Sequence, residues 1–199
     1  MKIIYHRRNT LEMLLSTDTR FGVEVDIRSH GDQLIIHHDP CCPGEDFKQW
    51  LDAYQHKTLI LNVKEEGLED KLIRMMELKG ISDFFFLDQS FPFLVKWSKN
   101  GERRCAVRVS EFESVETALT LSGLIDWVWV DCFTKFPLNE YQARQLKDGG
   151  FKMCLVSPEL QGRDAEIEIP ILRSVLKKYN INAAAVCTKR PDLWESKDF

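Results

Sequence analysis

The run "GVEVDIRSHGDQLIIHHDP", residues 22–40, decides how this chain folds. Val23, Val25 and Ile27 alternate with Glu24 and Asp26, the period-two pattern of a β-strand. Successive side chains of a strand point to opposite faces, so both acids share one side and the three β-branched residues share the other. "SHGD" is a turn signal, and "QLIIHHD" after it reads as an extra, hairpin-like strand.

The same strand signal recurs outward from this stretch. "KIIYH", "GVEVDI", "TLILNVK", "DFFFLD", "CAVRV", "WVWVD", "KMCLVS" and "AAAVCT" are short runs rich in β-branched and aromatic residues. Between most of them lie segments of helical periodicity. Leu68, Leu72, Met75, Met76 and Lys79 follow one helix face in "GLEDKLIRMMELKG", and "IEIPILRSVLKKYN" carries Lys177 and Lys178 in its last turn, where the helix dipole favours cations. Strands that alternate with helices predict a parallel sheet, because parallel pairing needs long crossovers. Eight such units in 199 residues predict an α/β fold of the TIM-type (β/α)8 barrel, near the short limit for one. A doubly wound open sheet is the alternative. No Pro/Gly/Ser-rich linker divides the chain, so residues 1–199 are expected to form one domain.

Net charge is −4 with the signs interspersed, which argues against a nucleic-acid stripe or a polybasic membrane patch. "MKIIYHRRNT" reaches charge too early for a signal peptide, and no apolar run is of membrane-spanning length. A cytoplasmic protein is expected; lipid-like substrates stay open. The six cysteines form no CxxC pair. Cys105, Cys132, Cys154 and Cys187 lie in apolar runs, where a thiol is a small buried hydrophobe. Cys41 and Cys42 have no second pair at zinc-ligand spacing.

A barrel gathers its chemistry at the carboxyl ends of its strands. There the sequence offers His6 and Arg7, Glu24 and Asp26, Asn62 and Lys64, Asp88, Arg108, Asp131, Ser157, and Thr188 with Lys189. Glu24 and Asp26 would repel each other unless a cation lay between them, and their oxygens suit Mg²⁺ or Ca²⁺. The bland reading is a surface-facing acidic pair on an edge strand. Asn62 and Lys64, also two apart, would present a neutral oxygen and an ammonium to a bound anion. Trp127 and Trp129 share a strand face and are expected to pack on flanking helices. His30 and His56 are expected in solvent, and Arg163 follows strand seven as a solvated or phosphate-contacting loop residue.

Taken in order, "YHRRNT", "GVEVDIRSHGDQLIIHHDP" and "LILNVK" resemble the glycerophosphodiester phosphodiesterases, of the PLC-like phosphodiesterase superfamily. His6-Arg7 stands for the family's His-Arg-Gly, Glu24-Val25-Asp26 for Glu-x-Asp, His38-Asp39 for His-Asp, and Lys64 for the lysine of Glu-x-Lys. "INAAAVCTKRPD" is similar to its closing strand and Thr-Asp-x-Pro turn. The resemblance implies a barrel phosphodiesterase with His6 and His38 as the acid/base pair. It further implies Glu24 and Asp26 as ligands of a divalent cation, Mg²⁺ or Ca²⁺, with Asn62 at the third ligand position, and Arg7 and Lys64 on the phosphate. Neighbours alternate faces along "QLIIHHD", so His37 and His38 cannot both enter one site; the resemblance selects His38.

The departures bear on activity. Arg8 replaces the glycine of the first motif, Asn62 a glutamate that would be a third metal ligand, and Lys189 the closing aspartate. Asp88, Glu65 and Asp131 are the acids available to compensate. The short interval from His38 to Lys64 lacks the family's usual insertion, so a more open mouth is expected, suited to a lipid-head-group or glycan-linked phosphodiester. The expected function is a metal-dependent phosphodiesterase acting on a glycerophosphodiester or related small molecule. The competing readings are a degenerate barrel that binds a phosphorylated ligand without turnover, and an unrelated barrel enzyme or plain interaction domain.

Overall fold

The computed structural model describes residues 1–196. Its strands are β1 (Lys2–Tyr5), β2 (Gly22–His30), β3 (Gln33–Ile36), β4 (Glu45–Asp46), β5 (Leu59–Val63), β6 (Phe84–Leu87), β7 (Ala106–Val109), β8 (Trp127–Val130), β9 (Lys152–Val156) and β10 (Ala185–Thr188). The helices are α1 (Leu11–Leu15), α2 (Phe47–Asp52), α3 (Glu69–Leu78), α4 (Phe91–Lys99), α5 (Val115–Leu119), α6 (Glu140–Asp148), α7 (Ala165–Lys178) and α8 (Pro191–Glu195), with a 3₁₀ turn at Pro158–Gln161. Local chemistry starts them. Asn139 and Gln142 form a capping box on α6, and the Asp164 carboxylate caps α7. None of these helices is long and apolar enough to cross a membrane.

Parallel ladders run β6, β5, β2, β1, β10, β9, β8, β7 in that order. The hairpin strand β3 is antiparallel to β2, and β4, which the sequence did not announce, is antiparallel to β3. The sheet is therefore mixed and curled. The expected regular barrel is met in part, because β6 and β7 touch through a single parallel bridge, Phe86 to Cys105, rather than a ladder. A Phe86 N–H to Arg104 carbonyl bond of 2.7 Å supports that seam. Gly22 lets β2 start tight against β5: a Cβ there would lie 2.5 Å from the Thr58 carbonyl oxygen.

Strand residues divide between two apolar sets. Val23, Val25, Ile27, Leu61, Val128 and Leu155 pack with helix residues such as Leu72, Leu146 and Leu172 on the outer face. Ile4, Ile60, Phe85, Trp127, Trp129 and Cys187 meet on the inner face. Trp127 and Trp129 thus fill the inside of the curled sheet and do not pack on flanking helices. Ala106, Cys154, Ala185 and Cys187 are small enough to leave them room, and Trp127 stacks on Phe85 with centroids 4.4 Å apart. Cys105, Cys132, Cys154 and Cys187 are all buried, as their apolar runs predicted.

Candidate functional site at the strand ends

The inner-face parity that buries Ile60 also turns Asn62 inward from β5, and it turns Glu24 and Asp26 inward from β2. Both acids are fully buried. The edge-strand reading therefore fails: β2 is flanked by β1 and β5, and its carboxylates face the interior.

Glu24 is held by three neighbours. Its Oε1 accepts from Asn62 Nδ2 at 2.8 Å, its Oε2 accepts from the Arg7 N–H at 2.7 Å, and His6 Nε2 lies 3.9 Å from Oε2. Burial first, and the charge of Asp26 second, raise its carboxyl well above the usual range against the pull of those donors. Asp26 accepts from Asn9 Nδ2 at 2.7 Å, while Arg7 Nε lies 3.5 Å and Lys64 Nζ 3.3 Å away. Arg7 has a left-handed backbone (φ 51), as does Asp88 (φ 60). Each such strained residue costs about 1 kcal/mol or more, and both sit at strand ends facing this site. In Arg7 that conformation accompanies an N–H on Glu24 and a guanidinium beside Asp26.

Alternating charges continue from Asp26 across the strand ends. Lys64 donates to Asp88 Oδ2 at 3.0 Å, Asp88 Oδ1 accepts from Arg108, and Arg108 Nη1 lies 3.4 Å from Asp131. Burial opposes ionisation of Asp88, but Lys64 and Arg108 outweigh it and lower its pKa. Asp131, which also accepts from Gln161 at 2.7 Å, is raised by burial.

His6 is largely buried. Burial, followed by the charges of Arg7, Lys189, Lys64 and Arg8, pushes its pKa down to about 3. The ring is therefore neutral near pH 7, with a buried Nδ1 that has no hydrogen-bond partner. Lys189 is exposed beyond β10, its N–H on Glu159 Oε1 at 2.8 Å. Arg8 folds back, donating to the His6 carbonyl at 3.1 Å with its guanidinium over the Tyr5 ring.

His6, Arg7, Glu24, Asp26, Asn62 and Lys64 thus form one contact network. His38 stands apart from it. Its Nδ1 is 2.8 Å from Asp39 Oδ1, and its side chain is 42% exposed. Arg28 supplies the link, donating to the His38 carbonyl at 2.8 Å and to the Lys64 carbonyl at 3.2 Å. The His38 hydrogen bond, and to a smaller degree the Arg7 charge, lower the Asp39 pKa. His37 turns to its own loop, with Nδ1 accepting from the Asp39 N–H at 2.9 Å. Arg28 and Asn9 were not anticipated. Arg28 had a signal, since it shares the face of Glu24 and Asp26 on β2; Asn9 had none.

Other expectations resolve differently. His56 is not simply solvated: Nε2 meets the Thr17 carbonyl at 2.9 Å, and the ring packs by Tyr54. Arg163 is spent on Glu168 and the Cys132 carbonyl. Among the described residues, none of the three acids available to compensate replaces the missing third carboxylate. Glu65 accepts from the Ser29 N–H, and Asp88 and Asp131 belong to the Lys64–Arg108 chain.

Glu24, Asp26 and Asn62 bring together oxygen donors of the kind a divalent cation takes. Asn62 Oδ1 is a buried acceptor without a hydrogen-bond partner, and Asp26 Oδ1, likewise buried and without a hydrogen bond, has the Lys64 ammonium 3.3 Å away, beside a Glu24 whose acidity is weakened. Two carboxylates and an amide oxygen fit a hard cation of low affinity. Among the described residues there is no group of three or more His, Cys, Asp or Glu side chains placed to hold a metal, because the third oxygen here is an amide.

No family model and no curated protein matches the chain. Solved structures do. A glycerophosphodiester phosphodiesterase from Agrobacterium tumefaciens aligns at 13% identity and TM-score 0.66, covering 97% of this chain and 98% of its own. A putative glycerophosphodiester phosphodiesterase from Galdieria sulphuraria aligns at 14% identity and TM-score 0.69, covering 97% and 96%. A mutant tryptophan synthase α-subunit from Pyrococcus furiosus aligns at 12% and 0.51, covering 94% and 86%. At such identities the likeness is one of fold. The resemblance expected from the motifs holds at that level over almost the whole chain.

Proposed function

We propose that the chain is a single-domain phosphodiesterase of the glycerophosphodiester phosphodiesterase family, built on a TIM-type barrel whose β6–β7 seam is thinly sewn. The observation that carries it is the network itself: a neutral buried imidazole, two inward carboxylates and two cations, all within one set of strand ends. Phosphoryl transfer needs cations on the non-bridging oxygens and proton traffic at the attacking and leaving oxygens.

Arg7 and Lys64 bind the phosphodiester in this reading. Burial depresses His6 first and the neighbouring cations second; the negative charge of the diester offsets the cations, so that part of the depression is relieved once substrate arrives. His6 and His38 divide the proton transfers between the attacking oxygen and the leaving alcohol. His38 is then held in one tautomer by Asp39, with its backbone anchored through Arg28. Glu24, Asp26 and Asn62 would hold Mg²⁺ or Ca²⁺, which when bound neutralises charge on the phosphoryl oxygens. The substrate is a small molecule or lipid head group carrying a glycerophosphodiester or related lipid- or glycan-linked diester.

A second reading is favoured by one observation. Asp26 already has Lys64 and Arg7 as counter-ions, so the site can rest charge-balanced and bind a phosphate without turnover. Hydrolysis of a chromogenic phosphodiester, with and without Mg²⁺ or Ca²⁺, separates the two. The enzyme reading expects activity that His6→Ala and His38→Ala each reduce by about 10²–10⁴. Full activity in His38→Ala removes that residue's role. Phosphate binding without hydrolysis selects the second reading.

A further inference from the structure

Most cations at the strand ends are already matched by acids. Lys64 lies between Asp26 and Asp88, Arg7 beside Asp26, and Arg108 between Asp88 and Asp131. Among the described residues, the Lys189 ammonium and the Arg8 guanidinium enter no ion pair. We propose that Lys189 determines specificity: its ammonium holds a second negative charge on the substrate, so the enzyme takes phosphodiesters that also carry a phosphomonoester group. The inference rests on the phosphodiesterase reading and names its substrate class.

The β1–β10 ladder brings Lys189 to the site. Tyr5 is the register partner of Thr188, and the His6 N–H bonds the Thr188 carbonyl at 3.0 Å. Lys189 follows Thr188 and therefore emerges at the same strand ends as His6. The ladder begins at β6 and ends at β7, so this strand pair lies across the mouth from the β6–β7 seam. Arg8 joins the same strand pair, its guanidinium 4.9 Å from the Tyr5 ring centroid. Both charges reach the His6 ring, and that of Lys189 acts on it more strongly than that of Lys64.

Glu159, the acid that touches this segment, is occupied elsewhere. Its Oε1 accepts from the Thr188 hydroxyl at 2.6 Å and the Lys189 N–H at 2.8 Å, and its Oε2 from the Ser157 hydroxyl. It fixes the turn after β10 and leaves the exposed lysine side chain to the mouth. A diester held by Arg7 and Lys64 brings one negative charge, and the field of Lys189 and Arg8 remains. A phosphomonoester on the same substrate would meet that field with charge-assisted hydrogen bonds to the ammonium. A neutral hydroxyl would leave it unmatched, and a quaternary ammonium would be repelled by two like charges. The second anion would also relieve His6 of a further cation's influence.

Glycerophosphoglycerol and the same diester phosphorylated on its terminal hydroxyl differ only in the added charge, and their hydrolysis tests this. The proposal expects kcat/KM about tenfold or more in favour of the phosphorylated diester. Lys189→Met keeps the stem without the ammonium and should bring that ratio toward one, whereas Lys189→Arg should preserve it. A ratio near one in the wild type, or a ratio unmoved by Lys189→Met, overturns the proposal. So does a Lys189→Met protein that loses activity on both diesters alike, because the ammonium then serves the diester itself or the fold. Calorimetric affinities for the two diesters, on wild type and Lys189→Met, keep the outcomes apart. Selective, Lys189-dependent binding of the phosphorylated diester without hydrolysis would end the phosphodiesterase reading and leave this inference standing. Equal affinities would end the inference whatever the activity.

Discussion

The Asn62 amide donates from Nδ2 to Glu24 Oε1 at 2.8 Å, although its Cα partner in the β2–β5 ladder is Asp26. The bond crosses between the two acids and leaves Asn62 Oδ1 buried and unpartnered. Asn62→Glu would replace that donor with a third buried carboxylate. The variant is expected to be less stable than wild type by about 2–3 kcal/mol in chelator, since it leaves a buried charge uncompensated, and to recover with millimolar Mg²⁺ or Ca²⁺. Thermal unfolding with and without the cation checks this. A variant that shows no cation-dependent recovery would argue against one oxygen site shared by residues 24, 26 and 62.

Lys64 is the joint between Asp26 and Asp88. Lys64→Met keeps the stem length but removes the shared ammonium, and is expected to cost about 2–3 kcal/mol in urea unfolding. If Lys64 holds the phosphate, hydrolysis falls about 10²-fold or more. An active, fully stable Lys64→Met protein would dissociate this lysine from both roles.

Glu111 ties the loop after β7 to the loop after β8. Its Oε1 accepts from the N–H groups of Thr134 and Lys135, each at 2.7 Å, and from the Thr134 hydroxyl at 3.0 Å. Burial works against its charge, but the backbone donors prevail and lower its pKa to about 2. A carboxyl depressed in the folded state contributes stability that is present above pH 4.5 and is lost as pH falls toward 2. Glu111→Gln should be less stable at pH 7 by about 1 kcal/mol, a modest figure because the carboxylate is solvent-screened. The gap should close as pH falls below 4.5. Denaturant midpoints of both proteins from pH 7 to 3 read this out; a gap that widens on acidification contradicts it.

Trp127 bears on the inner packing. It is 5% exposed and stacked on Phe85. Trp127→Ala is expected to destabilise by about 3–5 kcal/mol, whereas a tryptophan on the outer helix layer could be partly relieved by helix shifts. Equilibrium unfolding monitored by circular dichroism measures it, and a loss below about 1 kcal/mol would contradict inner-face burial.

How much of this was legible in advance follows from what alternation can encode. The period-two pattern at residues 22–27 announced a strand and put Glu24 and Asp26 on one face, and the structure has both. The eight main strand runs and helices α3 to α7 were equally readable, because propensity and caps act within a few residues, whereas the short α1, α2 and α8 were not. Trp127 and Trp129 were misjudged because Val128 and Val130 beside them are also apolar, and a strand buried on both faces does not reveal which is the inner one. Asn9 on Asp26, Arg28 between His38 and Lys64, and Lys64 between two aspartates join residues 10 to 38 positions apart. Sequence by itself determined the strand-and-helix order and which residues would be available at the strand ends. Only the tertiary structure decided which cation faces which acid and that the β6–β7 seam gapes. Those outcomes depend on ladder register and sheet curvature, which are set by packing of the whole sheet and by no single stretch of chain.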